Sequence, residues 1–302
     1  MHAVVIGAGI AGLATAALLG REGYEVTVVD SLDEVGGRAG SFAEAGFRWD
    51  TGPSWYLMPE AFDHFFALCG TSTEAELDLV DLSPAYRVFH GDAPVDVHSG
   101  PEEVAALFES LEPGAGEKVR EYLAQASDTY EMALKHFLYT TFSAPLNLVH
   151  RDIRTRLSRL VALLSVNLKQ YVGQTFSDAR LRQILSYPAV FLSSEPAAAP
   201  ALYSLMSHTD LVEGVRYPQG GFAAVVQAIY RQAQKFGATF RLGEEVTSIK
   251  VANRQVTGVR TNKGAIHADI VVSAADLHHT ETQLLPPQLR TYPERYWGRR
   301  NP

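Results

Sequence analysis

One cysteine, Cys69, stands in 302 residues. A single thiol excludes an intrachain disulfide and any cysteine-based metal or redox pair, and it fits a reducing compartment. Its place after Phe65-Phe66-Ala67-Leu68 predicts a buried filler in a helix. Positive charge is also scarce: 26 Lys and Arg against 34 Asp and Glu leave a net charge of −8. Nucleic-acid-binding proteins carry the opposite excess, so no nucleic acid is expected as a partner. No stretch holds the roughly 20 uncharged apolar residues of a membrane-spanning helix. Met1–Leu19 lacks a basic leader and carries three glycines, which argues against a secretory signal. Neither Gly-x-Ser-x-Gly nor His-Glu-x-x-His occurs, so nucleophilic hydrolysis and zinc-peptidase chemistry are not expected. Of 10 histidines only His278-His279 are adjacent, without further ligands at metal-binding spacing, and no metal is expected.

What the chain does have comes first. Val4-Val5-Ile6 is an apolar run suited to a buried parallel strand. It leads into Gly7-Ala8-Gly9-Ile10-Ala11-Gly12 and a helix over Leu13–Gly20, then a strand Glu25–Val29 ending in Asp30. At this spacing Gly7 permits the tight turn, Gly9 lets the backbone approach a pyrophosphate, and Gly12 lets helix and strand pack closely. The free N–H groups and the positive end of the helix dipole then face the phosphates. Asp30 stands where a carboxylate accepts hydrogen bonds from ribose hydroxyls and repels a 2′-phosphate, which disfavours NADP. Strand, turn, helix, strand and terminal acid in order make a dinucleotide site the expectation. Six residues on comes Gly36-Gly37-Arg38. A second glycine pair brings more backbone near a pyrophosphate, and Arg38 adds a fixed cation to pair with it, favouring FAD over NAD.

With Gly46-Phe47-Arg48-Trp49-Asp50-Thr51-Gly52-Pro53-Ser54 following, the chain resembles the flavoprotein superfamily of amine oxidases, protoporphyrinogen oxidases and bacterial carotenoid desaturases. Among these branches the carotenoid (phytoene) desaturases fit best, through that segment, the helix after Arg151-Asp152, and Arg216-Tyr217-Pro218-Gln219-Gly220-Gly221. The resemblance implies an α/β fold: a Rossmann-like FAD-binding domain, parallel sheet plus antiparallel insertion, over 1–55 and 215–302, with a largely helical substrate domain inserted at 56–214. It implies FAD held by Gly7, Gly9, Ile10, Ala11, Gly12, Asp30, Gly36, Gly37, Arg38, Gly52, Pro53 and Ser54, with the backbone of Val246 passing the adenine. Glu is commoner than Asp at the position of Asp30, and the shorter acid should still bind. The implied reaction is desaturation of a lipophilic isoprenoid polyene, by loss of a hydride and then a proton. Arg151 and Asp152 match a charged pair of the family and are the candidates for proton handling. An ordinary first-turn acid favouring the helix dipole is the alternative for Asp152. Another flavin oxidase acting on an amine or porphyrinogen is the rival activity, and a non-catalytic remnant the rival class. Chains of the family run well past residue 302, so an N-terminal fragment lacking the C-terminal part of the fold is expected.

Elsewhere, Pro59–Cys69 reads as a helix with Phe62, Phe65, Phe66 and Cys69 on one face, either a core stripe or, with Tyr56, the lining of an apolar ligand site. Alternation at 86–88 and 95–97 predicts a hairpin turned at Gly91-Asp92. Helices are expected over Lys118–Phe137, Ile153–Asn167 and Asp178–Tyr187, with Pro145 between the first two. Leu157, Leu160, Val161, Leu164 and Leu168 form a helical stripe flanked by Arg151, Arg154, Arg156, Arg159 and Lys169. Such a stripe suits either a packed core helix or one lying in a membrane surface. A water-insoluble substrate favours the latter, hence a cytoplasmic protein peripheral on the membrane. Strands are expected over 238–242, 246–251, 256–261 and 265–272, and the chain turns polar from Thr280 to Arg299-Arg300-Asn301-Pro302.

Overall fold

The computed structural model describes residues 1–91, 93–140 and 150–298. Asp92 of the expected hairpin turn, Pro145, and the chain end from Arg299 lie outside the described residues. The contacts divide the chain into two units, Met1–Val80 with Tyr217–Pro302, and Asp81–Arg216.

The first unit is built on a four-stranded parallel sheet in the order Ile270–Ser273, His2–Ile6, Glu25–Val29, Thr239–Arg241. Its strands are apolar on both sides because both faces are covered. Val5 and Val28 point into a core made with Leu13, Ala16 and Ala17 of the helix Ile10–Arg21 and Val225, Val226 and Ile229 of the helix Phe222–Lys235. Val4, Ile6 and Val29 point the other way, onto Val246, Ile249, Val259 and Ile266 of a three-stranded antiparallel sheet. Alternate residues along one strand thus serve two cores.

The segment expected as one strand over 265–272 is two. Gly264–His267 completes the antiparallel sheet, whereas Ile270–Ser273 pairs in parallel with the first strand. Asp269 makes the corner: its N–H donates to the His2 carbonyl at 2.9 Å, and its carboxylate accepts the His2 N–H at 2.8 Å. The unit boundary falls at residue 80 rather than 55 because the helix Pro59–Leu68 buries Phe66, with Cys69 and Tyr56, in the same core as Leu13.

The second unit is mostly helical. An antiparallel hairpin, Tyr86–His90 with Ala93–Val97, precedes the helices Pro101–Leu111 and Ala115–Ala133, the latter continued by Leu134–Leu138. Arg151–Ser165, Leu168–Thr175 and Ala179–Ser186 follow. Phe108, Leu123, Phe176 and Leu185 lie in its main core. The stripe expected on one helix is broken before Leu168, because Asn167 caps a new helix by accepting the Gln170 N–H at 2.9 Å. The remaining stripe is wider than the packed side: Leu160 is buried, while Leu157, Val161 and Leu164 are exposed. No helix among the described residues is long and apolar enough to cross a membrane.

Candidate dinucleotide site

The site lies at the carboxyl ends of the parallel strands, in the first unit. Gly7 turns the chain at φ +101°, and its N–H donates to the Val29 carbonyl at 2.8 Å. Gly9 precedes the helix, whose first N–H groups have no partner within it. At Gly12 a Cβ would stand 1.9 Å from the Gly7 carbonyl oxygen, so the helix can start this close to the turn only without a side chain there.

Gly36 and Gly37 then close on this loop. The Gly36 N–H donates to the Ala8 carbonyl at 2.9 Å, and Gly9 pairs with Gly36 in an isolated parallel bridge. Both glycines hold positive φ, +123° and +55°, where a side chain is strained. A Cβ on Gly37 would be 3.4 Å from the Cα of Gly9. Behind them, Gly52 lies so near Arg38 that a Cβ would meet its carbonyl oxygen at 2.0 Å. The Arg38 side chain makes no ion pair or hydrogen bond among the described residues, which leaves its guanidinium available to a ligand.

Together these segments bound a cavity of about 780 Å³. Of the residues expected to hold a dinucleotide, Gly7, Gly9, Ile10, Ala11, Asp30, Gly36, Gly37, Arg38, Pro53 and Val246 line it. Gly12 and Gly52 are not in its wall but set the close packing behind it. Ser54 is exposed and does not line it. Asp30 also fastens the loop, one oxygen accepting the Ala8 N–H at 2.6 Å and the other the Leu32 N–H at 2.8 Å. Each carboxylate oxygen retains acceptor capacity, so holding the loop and receiving a hydroxyl are compatible.

Among the features that sequence reasoning missed are two wall residues and the role of Asp50. His279 and Leu284 line the cavity from the turns after the last parallel strand. No periodic or glycine signal marks them. Asp50 caps the helix Phe222–Lys235, its carboxylate accepting the Phe222 and Ala223 N–H groups at 2.8 and 3.2 Å. Gly221 permits this, since a Cβ there would lie 2.9 Å from the same carboxylate. The acid of the Asp-Thr-Gly-Pro segment therefore braces the fold at a helix N-terminus.

Arg151 and Asp152 belong to the second unit, in the first turn of the helix Arg151–Ser165. Arg151 is exposed. The Asp152 carboxylate receives the Lys135 ammonium at 2.8 Å and lies 3.1 Å from Nε2 of His136. These hydrogen bonds, Lys135 first, hold its carboxyl down at about 2.

The sequence matches the family described as flavin containing amine oxidoreductase over residues 10–297. It is 38% identical over 294 residues to a carotenoid 3,4-desaturase of Haloarcula japonica, covering 97% of this chain and 59% of that protein. It is 38% identical over 280 residues to a phytoene dehydrogenase of Streptomyces griseus, covering 91% of this chain and 54% of the relative. The chain thus spans little more than half the length of these relatives. In three dimensions it resembles an oxidoreductase from Methanosarcina mazei, with a TM-score of 0.62 at 21% identity over 94% of this chain and 61% of the other. A glycine-lined cavity at the ends of a parallel sheet, in a sequence that matches from its first helix almost to its end, places the chain in the flavin containing amine oxidoreductase family.

Proposed function

We propose that this chain binds FAD in the glycine-lined cavity and serves the desaturation of a long isoprenoid polyene. The observation that carries the reading is the closure of Gly36-Gly37-Arg38 onto the first glycine loop beside Val246 and Asp30. The fit to FAD rests on that geometry. A pyrophosphate beside Gly9 and Gly36 would receive backbone N–H groups with no side chain in the way, and Arg38 would neutralise its charge. Asp30 would take the ribose hydroxyls, and the backbone at Val246 would flank the adenine. Bound FAD supplies the two-electron acceptor that removal of hydrogen from a saturated carbon pair requires.

The relatives named for carotenoid and phytoene substrates support the polyene class. In this reading the first unit is the FAD-binding domain and the second the substrate domain. Its helix Arg151–Ser165 meets a membrane surface through Leu157, Val161 and Leu164, with Arg151 and Arg154 in the headgroups. In this reading Asp152 does not handle the proton, because the hydrogen bonds from Lys135 and His136 lower its carboxyl and make it a weak base.

The first test is cofactor identity. The chain, purified and denatured, should release FAD rather than FMN or NAD, and Arg38→Ala should lower its retention. The second is incubation of the FAD-loaded chain with phytoene in liposomes, where red-shifted polyene bands are expected. Release of another nucleotide sinks the cofactor assignment. Bound FAD with an amine or porphyrinogen oxidised and phytoene untouched sinks the substrate assignment.

A further inference from the structure

We propose that His136, His150 and Asp152 form a binding site for a divalent transition-metal ion, with zinc the best-matched, in the second unit. The site is independent of the flavin reading. His136 is carried by the helical extension Leu134–Leu138, His150 caps the helix Arg151–Ser165, and Asp152 lies in that helix's first turn. Nε2 of His136 is 3.1 Å from Oδ2 of Asp152, and Nδ1 of His150 is 3.7 Å from the same oxygen. All three donor atoms lie within 4.8 Å of one another. Around a tetrahedral ion with bonds of about 2.0–2.1 Å, ligand atoms sit roughly 3.3 Å apart. The two distances to the carboxylate bracket that value, and the two imidazole nitrogens, within 4.8 Å of each other, draw together to close the site.

The ligand chemistry narrows the ion. Two imidazoles and one carboxylate suit zinc and its first-row neighbours, whereas calcium and magnesium take oxygen. Three protein ligands leave a fourth position for water. The His136 side chain is only 10% exposed and so is already held in place, while that of His150 is 51% exposed, with its ring packed on that of His136 at 4.5 Å.

A plain hydrogen-bonded cap is the competing account of the same residues. His150 is a poor cap, with its Nδ1 3.4 Å from the Asp152 N–H, at the long limit for such a bond. Lys135 is the ion's competitor: its ammonium lies 2.8 Å from Oδ2 and is 65% exposed on a flexible stem. In the metal-bound form Lys135 swings into solvent and the ion takes over the neutralisation of Asp152. The ion would then tie His136 directly to the start of the helix Arg151–Ser165.

The test is titration of the tag-free, metal-stripped chain with zinc against a chromophoric chelator. One equivalent is expected to bind, unaffected by excess magnesium, and to raise the unfolding temperature. His136→Gln, His150→Gln and Asp152→Asn should each weaken binding at least about tenfold, since each removes one ligand. Lys135→Ala should tighten it. Cobalt in place of zinc should give the visible bands of a tetrahedral site, lost in the same three variants. Absence of stoichiometric binding overturns the proposal, as does binding undiminished in His150→Gln. That variant replaces a half-exposed side chain and is the one least able to disturb folding.

Discussion

At the scale of single residues, two positions have consequences that chemistry fixes tightly. Gly52 sits in the open behind the cavity, yet an added methyl would meet the Arg38 carbonyl oxygen at 2.0 Å. A backbone atom cannot rotate aside as a side chain can. Gly52→Ala is therefore expected to destabilise the first unit by about 2 kcal/mol and to push Arg38 out of place. Urea unfolding and flavin retention should both fall, and a variant unchanged in both would show that the loop gives way freely. Asp210 is the other. It is buried, accepts the Tyr86 hydroxyl at 3.0 Å, and has no partner for its second oxygen among the described residues. Burial pushes its carboxyl up to about 7, against 3.8 for an ordinary aspartate. Between those values the folded chain holds a proton that the unfolded chain has released. Stability on this account is whole below about pH 4, falls as pH rises, and levels off once pH exceeds about 7. Asp210→Asn removes the titration, so its urea midpoint should change less than wild type between about pH 5 and 8. Parallel profiles for the two proteins would contradict the assignment.

At the scale of elements, the helix Phe222–Lys235 shows what the sequence discloses and what it withholds. Its amphipathic face, carrying Val225, Val226 and Ile229, is legible because core packing needs periodicity and periodicity is local. Its cap is not, because Asp50 lies 172 residues before Phe222 and no local rule joins them. Asp50→Ala should cost about 1 kcal/mol, the ordinary worth of such a cap. A hydrogen-exchange experiment should find the loss concentrated in the first turn of this helix. Uniform loosening of the sheet would point instead to the hairpin Ser41–Glu44 with Phe47–Asp50, where Phe42 stacks on Trp49 at 4.8 Å. The same distinction holds for the cavity. Gly7, Gly9, Gly36 and Gly37 are legible since each answers a backbone demand written in its own neighbourhood. His279 and Leu284 reach the wall only through the way turns settle after the last parallel strand. The stripe of the helix Arg151–Ser165 lies between these cases. Its spacing tells which residues share a face, but only packing decides that Leu160 is covered and Leu157 is not.

At the scale of the molecule, that uncovered half-stripe meets a chain whose net charge is −8. On the proposed reading, attachment to a bilayer comes from a local patch, since the chain as a whole is repelled by anionic lipid. Leu157, Val161 and Leu164 are 53%, 53% and 58% exposed. Arg156 and Arg159 of the same helix are engaged with Asp128, Arg156 at 2.5 Å, so they anchor the helix and are not offered to lipid. Burying the exposed halves of three aliphatic side chains is worth about 1 kcal/mol each, together roughly a hundredfold in partitioning at 1.4 kcal/mol per decade. The triple variant L157S/V161S/L164S should therefore lose flotation with neutral phosphatidylcholine vesicles by about that factor while keeping its flavin and its unfolding midpoint. Added salt should do little to the wild type on neutral lipid, because apolar burial does not depend on screening. Flotation that persists in the triple variant would move the membrane contact elsewhere, and flotation abolished by salt alone would make it electrostatic.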